Sequence, residues 1–521
     1  MLFNCSRTFL KQHQQQTTKS LVKTLVLSVQ QQQQTIYRFS TATSTQLYRD
    51  RISSNTIDSI KLPKNQWSVS RLGLNVDDLN LIESEQKATL ISAFKNGCNL
   101  IHSYNNDSKS PTDVLSSIVG VSDVDTTDKQ SNVIIKRSEL IYMQRSRPLP
   151  PSQSLSDQAD IRRFIVDQVS CSLERLSTRQ LDVFLLDISS CILMSTSFEQ
   201  TRQQIQTSMV ALEEMVASGK LQSYGLSLNN LAPTAGETIE LLESILQFQS
   251  PHFQFLEFPF NICQHETFSM NNYSVNTQSL IEFAKQHQLT TINSSPSYFT
   301  NPVTGKLSRF ANVRSHKDQD LHKLLKEAFD LAIHLEIINP IFKDSVQAEM
   351  IKRTPDIIGQ LRWAHLLVYD AQKHEKLSNY WSWRRLLSSK IRPQVNEAVM
   401  SIFSNHIMNS WGAGYRKAIN NLFDLYSNSL EASIFDQQEQ LANQLYKSLE
   451  IPIASTSTTT TNTDLLKLSQ QISATAGIDL TIETLTNTDE LKSIFNQPNN
   501  KQINLTTNQL CNSINSINWK Y

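Results

Sequence analysis

The stretch ALEEMVASGKLQSYGLSLNN, Ala211 to Asn230, decides the fold. Its first half continues a helix whose apolar residues recur on one face at helical spacing. Those residues are Ile205, Met209, Leu212 and Val216. Gly219 then stands where helices commonly end, because glycine adopts the conformation of a helix C-cap without strain. A short apolar strand follows and ends at Ser227, so the stretch predicts one unit of an alternating α/β fold.

The same unit recurs along the chain, with a helical stretch before each apolar run. ATLISAF precedes CNLIHS, and IRRFIVDQVSCSLERL precedes LDVFLLD. Strands separated by helices must be parallel, since each helix carries the chain back to the starting edge. An open doubly wound sheet and a closed barrel both fit. No glycine-rich turn follows the first strand, which favours a (β/α)8 TIM barrel over residues 60–315.

In such a barrel the carboxyl ends of the strands meet at one mouth, where active sites lie. The polar groups at the predicted strand ends are His102-Ser103-Tyr104, Lys136-Arg137-Ser138, Asp187, Ser227, Glu257 and Asn293-Ser294. An inert barrel would also have a polar rim. Position therefore predicts a cleft without establishing catalysis.

Several stretches resemble the aldo-keto reductase family over residues 67–310. NGCNLIHSYNN is similar to the family's GINFIDTAxxYG, SLERLSTRQLDVFLLD to SLxRLxxDYIDLYLLH, and the opening stretch to ALEELVxxGKIRxIGVSN. The resemblance implies an eight-stranded barrel that passes a hydride from NADPH to a carbonyl. It also implies a tyrosine that donates the proton, assisted by a lysine, an aspartate and a histidine.

The residues that match this catalytic set differ from those of the family. His102 stands at the aspartate position and Asp187 at the histidine position, while the tyrosine position falls near Asp107 and the lysine position on Ser138. An ionised carboxylate cannot donate a hydrogen bond to a carbonyl. We therefore predict that reduction by the family's mechanism is lost.

Two rebuilt sites stay open as interpretations. Tyr104 would act as the acid with Lys136 as its activator, since both lie close in sequence to the expected positions. Alternatively, His102 and Asp187 would face each other and share a proton.

The cofactor contacts implied by the resemblance are altered as well. Ser227 keeps its place, Asn229 is displaced by one residue, and Glu257 puts a carboxylate where the family has a glutamine. The stretch SSKIRPQVNEAV weakly resembles the family's phosphate-binding segment through Lys390 and Arg392, although solvated surface charges would look the same. NADPH is thus the cofactor that the resemblance implies, on weak support from the residues.

The first 49 residues contain no acid but several Lys and Arg among Ser, Thr and Gln. This composition is typical of a mitochondrial transit peptide. IYRFSTATS resembles a processing site, with Arg38 just ahead of a Ser/Thr-rich stretch, so the mature chain would begin near Ser40. We predict a transit peptide over residues 1–45 and a mitochondrial matrix location; the alternative is a polar tail on a cytoplasmic protein.

Beyond the barrel, residues 316–450 are predicted to form an additional α-helical C-terminal region, containing the last barrel units and an insertion. Residues 451–521 read as a low-complexity linker and a polar tail. Trp and Arg side by side, as in Arg362-Trp363, are common at protein interfaces, so a protein partner is expected here.

The overall charge narrows the choice of partner. The 48 basic and 48 acidic residues cancel, so no global charge attracts nucleic acid, and no apolar run is long enough to span a membrane. We predict an aldo-keto reductase-like barrel that is catalytically degraded and acts in binding or assembly. The alternative is a divergent NADPH-dependent oxidoreductase that reduces a small-molecule carbonyl with a rebuilt site.

Overall fold

A computed structural model of the chain shows two compact units. The barrel unit comprises Met1–Phe260, Glu266–Ser295 and Gly477–Gln497, and the helical unit comprises Asn261–His265, Pro296–Ala476 and Pro498–Tyr521. The structure describes residues 39–52, 57–77, 83–104, 115, 119–120, 135–151, 154, 157–176, 178–194, 197–228, 235–248, 250–261, 264, 279–300, 307–310, 316, 320–339, 359–373, 380–402, 406–449 and 465–484.

The described strands and helices follow the alternating order expected of the sequence. In chain order, the strands are β1 (Ser59–Lys61), β2 (Ser68–Ser70), β3 (Leu72–Asn75), β4 (Leu100–Tyr104), β5 (Val119–Gly120), β6 (Ile135–Lys136), β7 (Ile141–Arg145), β8 (Leu181–Asp187), β9 (Leu221–Ser227), β10 (Phe253–Phe258), β11 (Thr290–Asn293), β12 (Tyr298–Thr300), β13 (Leu307–Arg309) and β14 (Leu480–Glu483). The helices are α1 (Ala42–Arg51), α2 (Glu83–Lys95), α3 (Gln158–Arg175), α4 (Ser189–Leu193), α5 (Phe198–Ala217), α6 (Ala235–Leu246), α7 (Leu280–Gln286), α8 (Leu321–Ile337), α9 (Trp363–Lys373), α10 (Tyr380–Leu386), α11 (Arg392–Ile402), α12 (His406–Ser448) and α13 (Leu465–Thr475).

Eight parallel strands close into a barrel in the order β3, β4, β7, β8, β9, β10, β11, β14. This confirms the predicted (β/α)8 TIM barrel. The opening stretch forms its predicted unit: α5 ends at Ala217, Gly219 follows with φ +73°, and β9 runs from Leu221 to Ser227. Glycine permits this positive φ because it has no Cβ.

The last barrel strand lies far from the position that the sequence predicts. β14 pairs with both β11 and β3, so the barrel needs Leu480–Glu483 in addition to residues 60–315. Those four residues fall inside the predicted polar tail. The strand is too short to show a period, and the helical unit separates it from the rest of the repeat.

The third barrel strand also differs from the prediction. Ile135 and Lys136 of the apolar run NVIIKRS pair with β5 in a separate two-stranded sheet. The barrel strand is β7, IYMQR, which pairs with β4 and β8. The β-branched run has the stronger strand propensity, but only β7 has the alternation that puts Ile141 and Met143 inside the barrel.

The barrel interior is filled by apolar side chains below its mouth. They are Leu100, Ile141, Met143, Val183, Leu185, Phe255, Ile292, Leu480 and Ile482, with Trp67 and Val69 packed in the same cluster. At Gly225, a Cβ would lie 2.4 Å from the carbonyl oxygen of Phe255. Glycine is therefore required there for β9 and β10 to pack this closely.

The N-terminal helix α1 belongs to the barrel unit. The Tyr48 hydroxyl donates to the carbonyls of Phe94 and Cys98 at 2.6 and 2.8 Å, and both Ser40 and Thr45 are buried. The predicted transit-peptide boundary at residue 45 thus falls inside a packed helix. A boundary near Ser40 leaves the helix intact.

The helical unit matches the predicted α-helical C-terminal region. Its core packs α8, α9, α11 and α12 around a cluster that includes Trp383, Tyr415 and Phe423. A π-helical turn, Leu387–Ile391, joins α10 to α11. Within the described residues, no helix is both long and apolar enough to cross a membrane.

Candidate functional site

Five side chains form a polar layer at the barrel mouth. Each stands at or near the C-terminal end of its strand, where side-chain alternation points it inward above the apolar interior. They are His102, Arg145, Asp187, Ser227 and Glu257. Four of them were predicted from the sequence, and Arg145 was missed.

Glu257 is the most buried charged group in this layer, with no exposed surface. One of its oxygens, Oε1, lies 3.2 Å from Nε2 of His102 and 3.5 Å from Nη1 of Arg145. Burial by itself raises the pKa of Glu257, but Arg145 and His102, with a smaller effect of Ser227, bring it down to about 2. The guanidinium of Arg145, together with the contacts of His102 and Ser227, therefore holds the carboxylate ionised.

Asp187 is held in a different way. Its Oδ1 accepts a hydrogen bond from the backbone N–H of Ser189 at 3.0 Å and another from the Ser189 hydroxyl. Burial raises the pKa of Asp187, and the Ser189 bonds and Arg145 lower it only in part. The carboxyl is therefore fixed at the start of α4 as an acceptor.

Arg145 ends the third barrel strand, where the resemblance places the family's lysine. Its guanidinium lies 5.2 Å from the centre of the Tyr104 ring, and its side chain is 13% exposed. The alternation of IYMQR is the sequence signal that could have found it. Ser138, the predicted match to the family's lysine, lies in the 3-10 turn Arg137–Glu139 ahead of β7, whereas Arg145 ends the strand.

Tyr104 and Lys136 are not brought together. β4 and β7 run parallel with Leu100 beside Ile141 and Tyr104 beside Arg145. Lys136 precedes Ile141 by five residues and a 3-10 turn, so it lies toward the N-terminal end of the barrel, opposite the mouth. Their positions along the two strands therefore do not place them side by side.

The second rebuilt couple is not formed either. His102 and Asp187 both reach the mouth layer, but the partner of His102 is Glu257, and Asp187 is bonded to Ser189. Among the described contacts of these two residues, none joins one to the other.

The predicted cofactor residues have separate locations. Ser227 is fully buried at the mouth, and its hydroxyl has no aligned hydrogen bond. Asn229 lies outside the described residues. Lys390 is exposed in the helical unit. In the same unit, Arg392 bonds to Asn420 at 3.2 Å and to Asp424.

The described mouth residues do not fit NADPH in the manner that the resemblance assigns. Ser227 lies beneath the surface beside the Glu257 carboxylate, and Asp187 adds a second carboxyl. Phosphates require cations, and Arg145 is the one guanidinium among the five side chains of the mouth layer. Its charge already faces Glu257.

Comparison with known proteins agrees with the fold. Residues 80–332 match the model of the aldo/keto reductase family. No curated protein matches the chain.

Solved structures of this family match about half of the chain. A putative aldo-keto reductase from Pseudomonas aeruginosa is 16% identical, with 48% of this chain and 82% of that chain covered and a TM-score of 0.31. An aldo-keto reductase from Bacillus halodurans in its holo form is 14% identical, with 52% and 77% covered and a TM-score of 0.32. An aldo/keto reductase from Brucella melitensis is 15% identical, with 54% and 85% covered and a TM-score of 0.31.

The match of residues 80–332 to the aldo/keto reductase family model agrees with the resemblance first seen in the sequence.

Proposed function

We propose that this chain is an aldo-keto reductase-like barrel that no longer reduces carbonyls and acts instead in binding or assembly. The observation that carries the proposal is the charge cluster of His102, Arg145 and Glu257 at the mouth. His102 and Arg145 both contact Glu257 where the family's chemistry needs groups that are free to meet a substrate.

Carbonyl reduction needs a proton donor beside the reacting oxygen. Arg145 cannot serve, because a guanidinium does not lose its proton in a protein. Asp187 accepts two hydrogen bonds from Ser189, and His102 faces Glu257. Tyr104 and Lys136, which would replace the family's acid and its activator, stand at the end of β4 and ahead of the start of β7, and this placement supports the proposal.

Electrostatics oppose the reaction as well. Hydride transfer to a carbonyl builds negative charge on oxygen, and enzymes stabilise it with donors and cations. Here the ionised carboxylate of Glu257 and the carboxyl of Asp187 face the same mouth. They would destabilise that charge.

A role in assembly is supported by the helical unit. On α8, Leu324 and Leu331 are 38% and 51% exposed, and Ile338, just after the helix, is 36% exposed. Their seven-residue spacing puts them on one face, and such an apolar row is typical of a helix that packs against another helix. This face is the best supported contact for a protein partner.

NADPH binding separates this proposal from the alternative of a divergent reductase. The chain from Ser40 onward is titrated with NADPH by calorimetry, beside a Glu257→Gln variant that removes the central negative charge. We expect no saturable binding to the wild-type chain at millimolar cofactor. Saturable micromolar binding to the wild-type chain would support the reductase instead.

A further inference from the structure

We propose that the chain is cleaved between Phe39 and Ser40, and that the new α-ammonium group of Ser40 docks on the buried carboxylate of Asp182. The peptide nitrogen of Ser40 already lies 2.7 Å from Oδ1 of Asp182. This processing site and its docking partner lie apart from the mouth and do not depend on the function proposed for it.

Asp182 is a buried carboxylate in the barrel wall. It lies near the start of β8 and has no exposed surface. Its Oδ2 accepts the backbone N–H of Tyr142 at 2.8 Å and lies 2.9 Å from Nη2 of Arg137. The other oxygen receives Ser40, so each of the two cations would have its own carboxylate oxygen.

Ser40 is held by its hydroxyl as well as by its backbone nitrogen. Its hydroxyl donates to the carbonyl of Leu140 at 2.7 Å, and the residue is fully buried, whereas Phe39 is partly exposed. Thr41 then caps α1 by accepting the N–H of Ser44. Ser40 is thus the residue at which the described chain becomes buried in the barrel unit.

The sequence ahead of the Phe39–Ser40 bond is typical of a segment that is cleaved off. Arg38 stands two residues before Ser40, and residues 1–49 contain no acid. A processing endopeptidase would act before folding, because Ser40 is buried afterwards. Water adds across the Phe39–Ser40 bond, so that Phe39 leaves with a new carboxylate and Ser40 keeps a new amine, which takes up a proton.

Cleavage at this bond changes the contact with Asp182. A neutral amide with one N–H becomes an ammonium with three, and a charge-assisted hydrogen bond is roughly twice as strong as a neutral one. Cleavage one residue earlier would leave the neutral amide, and cleavage one residue later would remove Ser40. The geometry therefore selects one bond.

The first test is the N-terminus of the mature protein. The full chain is expressed in its own cells and analysed by mass spectrometry, beside Arg38→Ala and the matched control Arg7→Ala. We expect Ser40 as the first residue in the wild type and in the control, and a severalfold loss of that species in Arg38→Ala. A mature chain that keeps Met1 or starts at another residue would overturn the proposal.

The second test addresses the docking. A specific protease removes a leader to give chains that start at Ser40 or at Phe39, and their melting temperatures are compared. We expect the Ser40 chain to melt roughly 2–4 °C higher. The difference should vanish in Asp182→Asn if that variant folds. Equal melting temperatures of the Ser40 and Phe39 chains would overturn the docking, even if the Asp182→Asn variant fails to fold.

Discussion

Glu257 shows at the scale of one residue how the mouth is held. Its carboxylate is fully buried yet ionised, because a guanidinium and an imidazole face it. Removing one member of a buried charge cluster leaves the others without compensation, which commonly costs about 3 to 5 kcal/mol. The cluster therefore stabilises the barrel as a unit while occupying its mouth.

Glu257→Gln should lower the free energy of unfolding by about 3 to 5 kcal/mol at neutral pH. The pKa of Glu257 is lowered from 4.5 to about 2, so the stabilisation is present above pH 4.5 and is lost as pH falls toward 2. Urea unfolding of wild type and variant across this range would show the gap closing. A gap that is the same at both ends would contradict the charge cluster.

Gly225 offers a second test on one residue. A Cβ there would lie 2.4 Å from the backbone oxygen of Phe255, which cannot move aside as a flexible side chain can. Gly225→Ala should therefore destabilise the protein by about 1 to 3 kcal/mol.

The matched control is Gly414→Ala in α12, where a Cβ would meet nothing within 4 Å. This change should be neutral or stabilise by about 0.5 to 1 kcal/mol, because alanine favours the helix. Thermal unfolding of both variants gives the comparison. Equal effects would argue against the close approach of β9 and β10.

At the scale of elements, α8 carries the apolar row of Leu324, Leu331 and Ile338. If this face binds a partner helix, Leu331→Asp should abolish the assembly and leave the fold unchanged. Sedimentation of the native complex from cell extract would measure the loss. Met400→Asp on α11 is the control, since Met400 is 61% exposed and lies on another helix. Equal loss in both variants would count against the α8 face.

Elements also show what the sequence could predict. The α5–β9 unit was predicted correctly because its helical period, glycine and strand follow without interruption. The sequence analysis assigned the third barrel strand to the more β-branched run that precedes β7. It therefore missed β7 and, with it, the site residue Arg145. β14 was missed because four residues have no measurable period and their partners, β3 and β11, are supplied from far along the chain.

For the mouth residues, the sequence predicted the positions but not the contacts between them. His102, Asp187, Ser227 and Glu257 could be predicted, since each ends an apolar run that the sequence places correctly. Their pairing could not, because which charge meets which depends on the circular order of the strands. The sequence therefore predicted which groups reach the mouth, but not that Glu257 would join His102 and Arg145.

At the scale of the whole molecule, the barrel closes only with a strand that follows the helical unit. A chain ending at residue 464 lacks β14 and leaves β3 and β11 as open edges, which favours aggregation. We expect that chain to be insoluble or to lose its cooperative thermal transition by circular dichroism. A chain ending at Gln497 keeps β14 and should retain the cooperative thermal transition. If the two shortened chains behaved alike, the result would contradict the role of β14 in closing the barrel.

In the barrel, Glu257 thus occupies the mouth in contact with His102 and Arg145. The most direct test is NADPH oxidation by the chain from Ser40 onward, followed by absorbance with a panel of aldehydes and ketones. We predict a rate equal to that without protein for every carbonyl. Saturable, carbonyl-dependent oxidation that is abolished in Arg145→Met would contradict the account and restore a reductase.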